Sequence, residues 1–317
     1  MTEQLKRRNF FQRNLNQIIL QCIALVGIAW YFVFFYFPYY GLTIAFKDFK
    51  FKAGIMGSQW IGFKFFQELI TDINLPMVVR NTVSISFLKI LICFPAAILF
   101  AILLNEIRGL RFKKIIQTIS FFPHFISWII ISLVITYMFA PEFGLVSNLL
   151  LKLGIISKPL NILADAQSFY WLAVFSELWK STGWSSILFI AAISGIDPTL
   201  YEAAVVDGAS RLRRIINITL PSITGTIILV FLLQFSSIFS GVGGIFEQSM
   251  FLGNAVNYDK SIVLGLYTLR TGIALGRFSY ATAVGLVNGV VSLALLLISN
   301  AVCWRFFGRG LYTGGNN

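Results

Sequence analysis

Six long apolar stretches separated by shorter polar runs dominate this chain. They run from Ile18 to Tyr40, Val78 to Leu104, Ile115 to Phe139, Phe169 to Ile196, Ile223 to Phe246 and Ala281 to Phe307. A helix needs about 20 apolar residues to cross a hydrocarbon core. Each stretch meets that length, so the pattern predicts an all-α polytopic membrane protein with six transmembrane helices. A seventh stretch, Ile262 to Leu275, is too short to cross and carries Arg270. It reads as an outside or partly re-entrant helix.

Between the fourth and fifth spans lies a polar island, Asp197 to Pro221. It predicts a short helix, a glycine turn and a second short helix. Asp197 suits the N-cap and Pro198 the first helical position. Gly208 can take the left-handed conformation that ends a helix. Ser210 can cap the next one, and Pro221 interrupts the polar segment before the membrane pattern resumes. Ala203 and Ala204 leave a low surface into which another protein could press.

Charge decides the orientation. Cytoplasmic loops carry an excess of Lys and Arg. Lys6, Arg7, Arg8, Arg13, Arg108, Arg111, Lys113, Lys114, Arg211, Arg213, Arg214 and Arg309 fall on one set of segments. The opposite loops are longer in total and hold fewer basic residues. Both termini and the polar island are therefore expected in the cytoplasm. The first span has no small-residue cleavage site at its end and reads as an uncleaved anchor.

Composition agrees. The 317 residues are 57% hydrophobic and 12% charged, against roughly a quarter charged in soluble proteins. The formal charge of +12 is explained by the bias at one membrane face. No nucleic-acid motif accompanies it, so no nucleic-acid partner is expected. Cys22, Cys93 and Cys303 all lie in apolar spans, with spacing that suits neither zinc nor a disulfide framework. His124 sits beside Pro123 and reads as a packing or interfacial residue. No metal site is expected.

The island carries a longer pattern: Glu202-Ala203-Ala204, three residues, Gly208, nine residues, Ile218, one residue, Leu220-Pro221. This resembles the coupling loop of bacterial ABC importer permeases in both spacing and identity. The resemblance implies a five-helix type-I importer core preceded by one extra N-terminal helix. It implies three regions: 1–77 before the core, a core at 78–307 with its coupling loop at 197–221, and a cytoplasmic tail at 308–317. It implies that Glu202, Ala203, Ala204, Asp207, Gly208, Ala209, Ile218, Leu220 and Pro221 form the surface that docks on an ATPase. The partners it implies are a second homologous permease, two ATPase subunits carrying ATP and Mg, and an extracytoplasmic solute-binding protein. The location it implies is the bacterial cytoplasmic membrane, among its lipids. Pro38 to Phe49 and Gly57 to Gly62 further resemble the oligosaccharide-importing branch, in particular permeases for polysaccharide fragments.

An ionisable group within a bilayer usually faces protein or water. Arg80, near the outer end of the second span, fits snorkelling. Lys89 lies deeper, with Asn81 eight residues before it. Glu177 and Lys180 are three apart on the fourth span, hence neighbours on one face. They read either as a self-neutralising pair or as a polar wall of the path. Trp179 and Trp184 flank them, and aromatic faces bind sugars. At roughly 100° per residue, Trp179 and Lys180 cannot share a face closely, and Trp184 lies about 140° from Trp179. Gln234 and Asn288 add amides on the fifth and sixth spans. Glu177, Trp179, Lys180, Trp184, Gln234 and Asn288 are thus the candidates for a substrate path; helix–helix hydrogen bonding is the plainer role for the amides.

The chain contains no Gly-Lys pair, so no Walker-type phosphate loop. Zinc motifs, a serine elbow and paired catalytic carboxylates are missing as well. The expectation is a transport subunit with no catalytic residue and no cofactor of its own. An importer of the same architecture for a non-sugar solute is the alternative. A secondary transporter driven by ions is a further one, although such proteins favour internal repeats and midplane carboxylates; no clear repeat is visible, and Glu177 is the one obvious mid-span carboxylate.

Overall fold

The computed structural model describes residues 10–140, 144–159, 161–308 and 310. Lys6, Arg7, Arg8 and Arg309, which contribute to the charge bias, lie outside the described residues, as does most of the 308–317 tail. Among the described residues, four helices are long and apolar enough to cross a membrane, and six spans result if each of two bent pairs counts as one.

Helix α1 (Phe10–Tyr31) continues through a wide turn of π type, Phe32–Tyr36, into a 3-10 run, Phe37–Phe46. Within it, the most apolar part of the 30-residue span Gln17–Phe46 is wholly unburied. A two-rung antiparallel ladder follows, β1 (Lys47–Asp48) against β2 (Gln59–Trp60), enclosing the single turn α2 (Gly54–Gly57). The short helix α3 (Lys64–Thr71) leads to α4 (Leu75–Asn105), a 31-residue span that carries Pro95 without breaking.

The third span is not one helix, contrary to the sequence expectation. Helix α5 (Leu110–Phe121) passes into a 3-10 turn, Phe122–Phe125, and α6 (Trp128–Met138) leaves at 95°. Pro123 lacks the N–H that would continue the ladder. Ile126 and Ser127 are extended, and the Ser127 hydroxyl caps α6 by accepting from the Ile130 N–H at 3.4 Å.

After α7 (Leu145–Lys152), α8 (Phe169–Ser185) and α9 (Ile187–Ser194) form one span. It bends by 71° into α10 (Pro198–Val206). Next, α11 (Arg211–Arg214), a π-type turn Ile215–Thr219 and α12 (Leu220–Ser236) make one continuous 26-residue helix. Pro221 therefore does not interrupt the chain as expected. The widened turn before it absorbs the ring's clash with the preceding turn.

The fifth span also ends earlier than predicted, at Ser236 rather than Phe246. Residues 237–244 are irregular, and Gly241, Gly243 and Gly244 have positive φ. Helix α13 (Ile245–Leu252) starts afresh, followed by α14 (Tyr258–Ser261), α15 (Leu264–Leu269), a π-type turn Arg270–Ala274 and the long α16 (Phe278–Phe307). The short seventh stretch packs into the bundle. Ile262, Val263, Leu264 and Leu266 are buried with Val78 and Ile85 of α4. Thr82 accepts from the Leu264 N–H at 2.8 Å, which satisfies the start of α15.

Two packed clusters organise the bundle. One joins the first half of α4 to α8, α13, α15 and α16. The other joins Phe94, Ala97, Ala101 and Ile102 of α4 to Phe189 and Ile193 of α9 and Ile223 of α12. Lipid tails are as apolar as leucine, so such contacts gain packing rather than transfer free energy. Polar residues consequently mark the interior more clearly: Asn81, Ser86, Lys89, Glu177, Lys180 and Gln248 are all buried, while large apolar side chains such as Leu91, Phe175 and Leu293 face outward.

Candidate coupling surface and polar interior

The polar island folds as a compact knob. The Asp197 carboxylate accepts from the Thr199 N–H at 3.0 Å, and Pro198 opens α10. Hydrogen bonds from the backbone N–H and hydroxyl of Thr199 hold that carboxyl below its ordinary range. At the other end Gly208 has φ +74°. Its N–H donates to the Val205 carbonyl at 3.0 Å and the Ala209 N–H donates to the Ala204 carbonyl at 2.8 Å. That pair of bonds is the Schellman closure, which needs a residue at positive φ. Ser210 then caps α11, accepting from the Arg213 N–H at 3.4 Å. The Tyr201 and Thr219 hydroxyls, 2.9 Å apart, tie α10 to the widened turn.

The knob turns outward. Glu202, Ala203, Asp207, Gly208 and Pro221 are exposed, and Ala204, Ala209, Ile218 and Leu220 are half-buried against the bundle. Apolar side chains are displayed beside them: Val206 is 87% exposed. The nine residues of the motif thus fall on α10, the Gly208 turn and the first part of the next helix, a segment whose turn and helix starts are set by local caps.

The polar interior differs from the sequence expectation. Glu177 and Lys180 do not neutralise each other. Glu177 pairs with Lys89 of α4, 3.6 Å away, with both side chains buried. The Lys89 ammonium also donates to Gln248 at 2.6 Å, to the Val242 carbonyl at 3.2 Å and to the Gly243 carbonyl. Gln248, fully buried, donates to the Ala173 carbonyl and the Ser176 hydroxyl, each at 2.9 Å. Lys180 instead donates to the carbonyls of Pro123, His124 and Ile126. It lies 5.5 Å from the Trp128 ring centroid, a cation–π arrangement. Each lysine instead reaches carbonyls that a broken span presents, and the Pro123 carbonyl accepts from the Ile126 N–H as well.

The remaining path candidates separate. Trp179 lines an apolar cleft of about 630 Å³ between α6 and α8, beside Ile130, Val134 and Phe175. Trp184 stacks on His124, ring centroids 4.4 Å apart and planes 2° from parallel, which makes His124 a packing residue as expected. Gln234 joins Lys89, Glu177, Ser181 and Ser237 around a second, more polar cleft of about 330 Å³. Asn288 donates to the Ser240 hydroxyl at 3.3 Å, next to the fifth-span break. Arg80 is exposed. Sequence reasoning missed Gln248, Trp128 and the glycines of the break; the run Ser240-Gly241-Val242-Gly243-Gly244 was the available signal. Among the described residues no three His, Cys, Asp or Glu side chains are placed to hold a metal.

A multi-pass helical bundle with broken spans, a buried charge network and a capped knob between its fourth and fifth spans is the architecture of a membrane transport subunit. Residues 93–303 match the family described as "binding-protein-dependent transport system inner membrane component". The match covers more than half of the chain, and the chain belongs to that family. It is similar to the polygalacturonan/rhamnogalacturonan transport system permease protein YteP of Bacillus subtilis (strain 168), with 36% identity over 97% of this chain and 94% of that protein. Among solved structures it resembles a subunit of a bacterial ABC transporter involved in the import of the acidic polysaccharide alginate, with TM-score 0.84 and 33% identity, over 95% of this chain and all of the other. It likewise resembles a subunit of the alginate transporter in complex with a periplasmic protein bound to alginate pentasaccharide, with TM-score 0.84 and 32% identity over 96% of this chain and 100% of that one.

Proposed function

We propose that this chain is one of two permease subunits of an ATP-driven importer of acidic oligosaccharides, the fragments of uronate-containing polysaccharides. A second permease, two ATPase subunits and an extracytoplasmic binding protein complete the machine. ATP and Mg bind to the ATPases. Both termini and the knob face the cytoplasm of a bacterial cell.

The coupling knob carries this reading. A capped helix and its closing turn display Glu202, Ala203, Val206 and Gly208 to solvent, which supports a covering partner, and the full-length motif resembles that of the family whose loop docks on an ATPase. The substrate class is supported by the names of the relatives: polygalacturonan, rhamnogalacturonan and alginate are all acidic polymers. The cleft around Gln234, Glu177 and Ser181 is our reading of the wall that this subunit gives to the path, with Asn288 at its margin; amides, hydroxyls and a carboxylate there suit sugar hydroxyls.

Reconstitution tests the whole reading. The four-component complex and its binding protein, in proteoliposomes, should take up labelled oligogalacturonate or oligoalginate in an ATP-dependent, vanadate-sensitive manner. Omitting the ATPase should abolish uptake. Uptake driven by a proton or sodium gradient without ATP would overturn it, and preference for neutral oligosaccharides would overturn the acidic substrate class.

A further inference from the structure

We infer that α8 moves the two helix breaks as one part, with Glu177 and Lys180 as its positioning residues; this rests on the transport reading above. The third span breaks at residues 122–127 and the fifth at 237–244. Each break presents backbone carbonyls to side chains of the bundle. Lys180 of α8 donates to three of them, Pro123, His124 and Ile126. Glu177, one turn earlier on α8, holds Lys89, which donates to two carbonyls of the other break, Val242 and Gly243.

The two breaks also touch. A Cβ added to Gly244 would lie 2.3 Å from the Trp128 indole nitrogen, and one added to Gly243 would lie 2.7 Å from the Glu177 carboxylate. Trp128 is the same ring that lies under the Lys180 ammonium. Contacts therefore close a circuit from Lys180 through Trp128, Gly244 and Gly243 back to Glu177. It begins and ends on α8, three residues apart. Glycines at 243 and 244 permit both the positive φ and the close approach.

The same α8 runs through α9 into α10, the coupling helix. A displacement of α10, passed across the 71° bend to α9 and α8, is then delivered to both breaks together, because Lys180 ties one break to α8 and Glu177 ties the other through Lys89. Packed elements of this kind shift between discrete arrangements rather than deform continuously. Lys89 and Gln248 serve the same end from α4 and α13, and Trp128 is the joint between the two breaks.

A double-mutant cycle in the reconstituted complex tests this. One arm is Lys180→Met. The other is Lys89→Met combined with Glu177→Gln, which removes both charges of that buried pair together. The readouts are sugar molecules imported per ATP hydrolysed and the amount of complex recovered. We expect each arm to lower the import ratio while ATP hydrolysis and complex recovery persist. Combining the arms should be no worse than the more severe arm alone, because both disable one part. If the effects multiply to within about twofold, as independent sites do, the breaks move separately and the inference falls. It also falls if either arm imports at the wild-type ratio, or if the loss is entirely in recovered complex. Failure of the wild-type complex to import with ATP would instead overturn the transport reading.

Discussion

Gly208 offers the cleanest perturbation of the proposed coupling knob. It sits at φ +74° with no atom beyond its immediate chain neighbours within 4 Å of where a Cβ would stand. A side chain there meets open space, so the intramolecular cost is backbone strain alone. For an L-residue the left-handed region costs about 1–2 kcal/mol, and asparagine tolerates it best. Valine costs more because it is β-branched. The knob can relieve that strain only by giving up the bonds from Gly208 to Val205 and from Ala209 to Ala204. One to two kcal/mol changes a two-state population by a factor of about 5–30. Uptake in proteoliposomes, and affinity of the permease pair for the isolated ATPase, should therefore decline in the order Gly208→Asn, Gly208→Ala, Gly208→Val, with the alanine variant weakened about 5–30-fold in ATPase affinity. Substrate affinity of the binding protein should not change. Wild-type behaviour of all three would refute the role of this turn. Equal loss in all three would refute strain as the cause and point to side-chain bulk against the docked partner.

Other perturbations separate structure from transport. Asn81 is fully buried, donates to the Asp259 and Ile262 carbonyls at 3.0 Å each and accepts from the Tyr170 hydroxyl at 2.7 Å. Asn81→Ala should destabilise the complex by about 1–3 kcal/mol, read as a lower thermal transition; an unchanged transition would count against the network. Trp184→Ala removes the ring stacked on His124 and should reduce the complex recovered more than uptake per complex, whereas Trp179→Ala, on an open apolar cleft, should leave recovery closer to wild type; the reverse ranking would contradict these placements. Burial pushes the Asp72 carboxyl up, but hydrogen bonds from Tyr267, Tyr280 and the backbone N–H groups of Asn74 and Leu75 outweigh it and hold it below 3.8. Its stabilisation is present above that value and fades as pH falls through the lower folded one. Asp72→Asn should thus lower the thermal transition at neutral pH, with the gap from wild type narrowing below about pH 4; a gap that stays constant on acidification would refute the assignment.

The readable and unreadable parts of this chain differ in range. The knob was legible down to its caps because every determinant is local: Asp197 with Thr199, Gly208 with Val205, Ser210 with Arg213. Span positions were legible because length and apolarity suffice. The breaks were not. Pro123 sits inside an apolar run that hydropathy reads as continuous, and Gly241, Gly243 and Gly244 are nearly invisible to the same measure. Pro221 misled in the other direction, since the widened turn at Ile215–Thr219 lets the helix run through it. The partner of Glu177 was out of reach for a different reason. Helical spacing correctly makes Lys180 its neighbour, but it says nothing of the carbonyls that a break elsewhere in the chain presents to that lysine.

Those carbonyls also explain why the interior holds charge at all. A bilayer leaves a broken helix few ways to satisfy its backbone, and an ammonium on a long flexible stem reaches several acceptors at once. Lys180 reaches three carbonyls with no carboxylate within 4 Å among the described ion pairs, aided by the face of Trp128. Lys89 is buried more deeply and takes Glu177 as its counter-charge. The carboxylate then borders the cleft that also holds Gln234. On the proposal that this cleft is the path wall, an acidic sugar entering it would meet a negative group already engaged by a lysine, so the wall as a whole would be close to neutral. Hydroxyls could bond to it and carboxylates would not be trapped by it. On that proposal such a surface would let a polyanion pass rather than hold it.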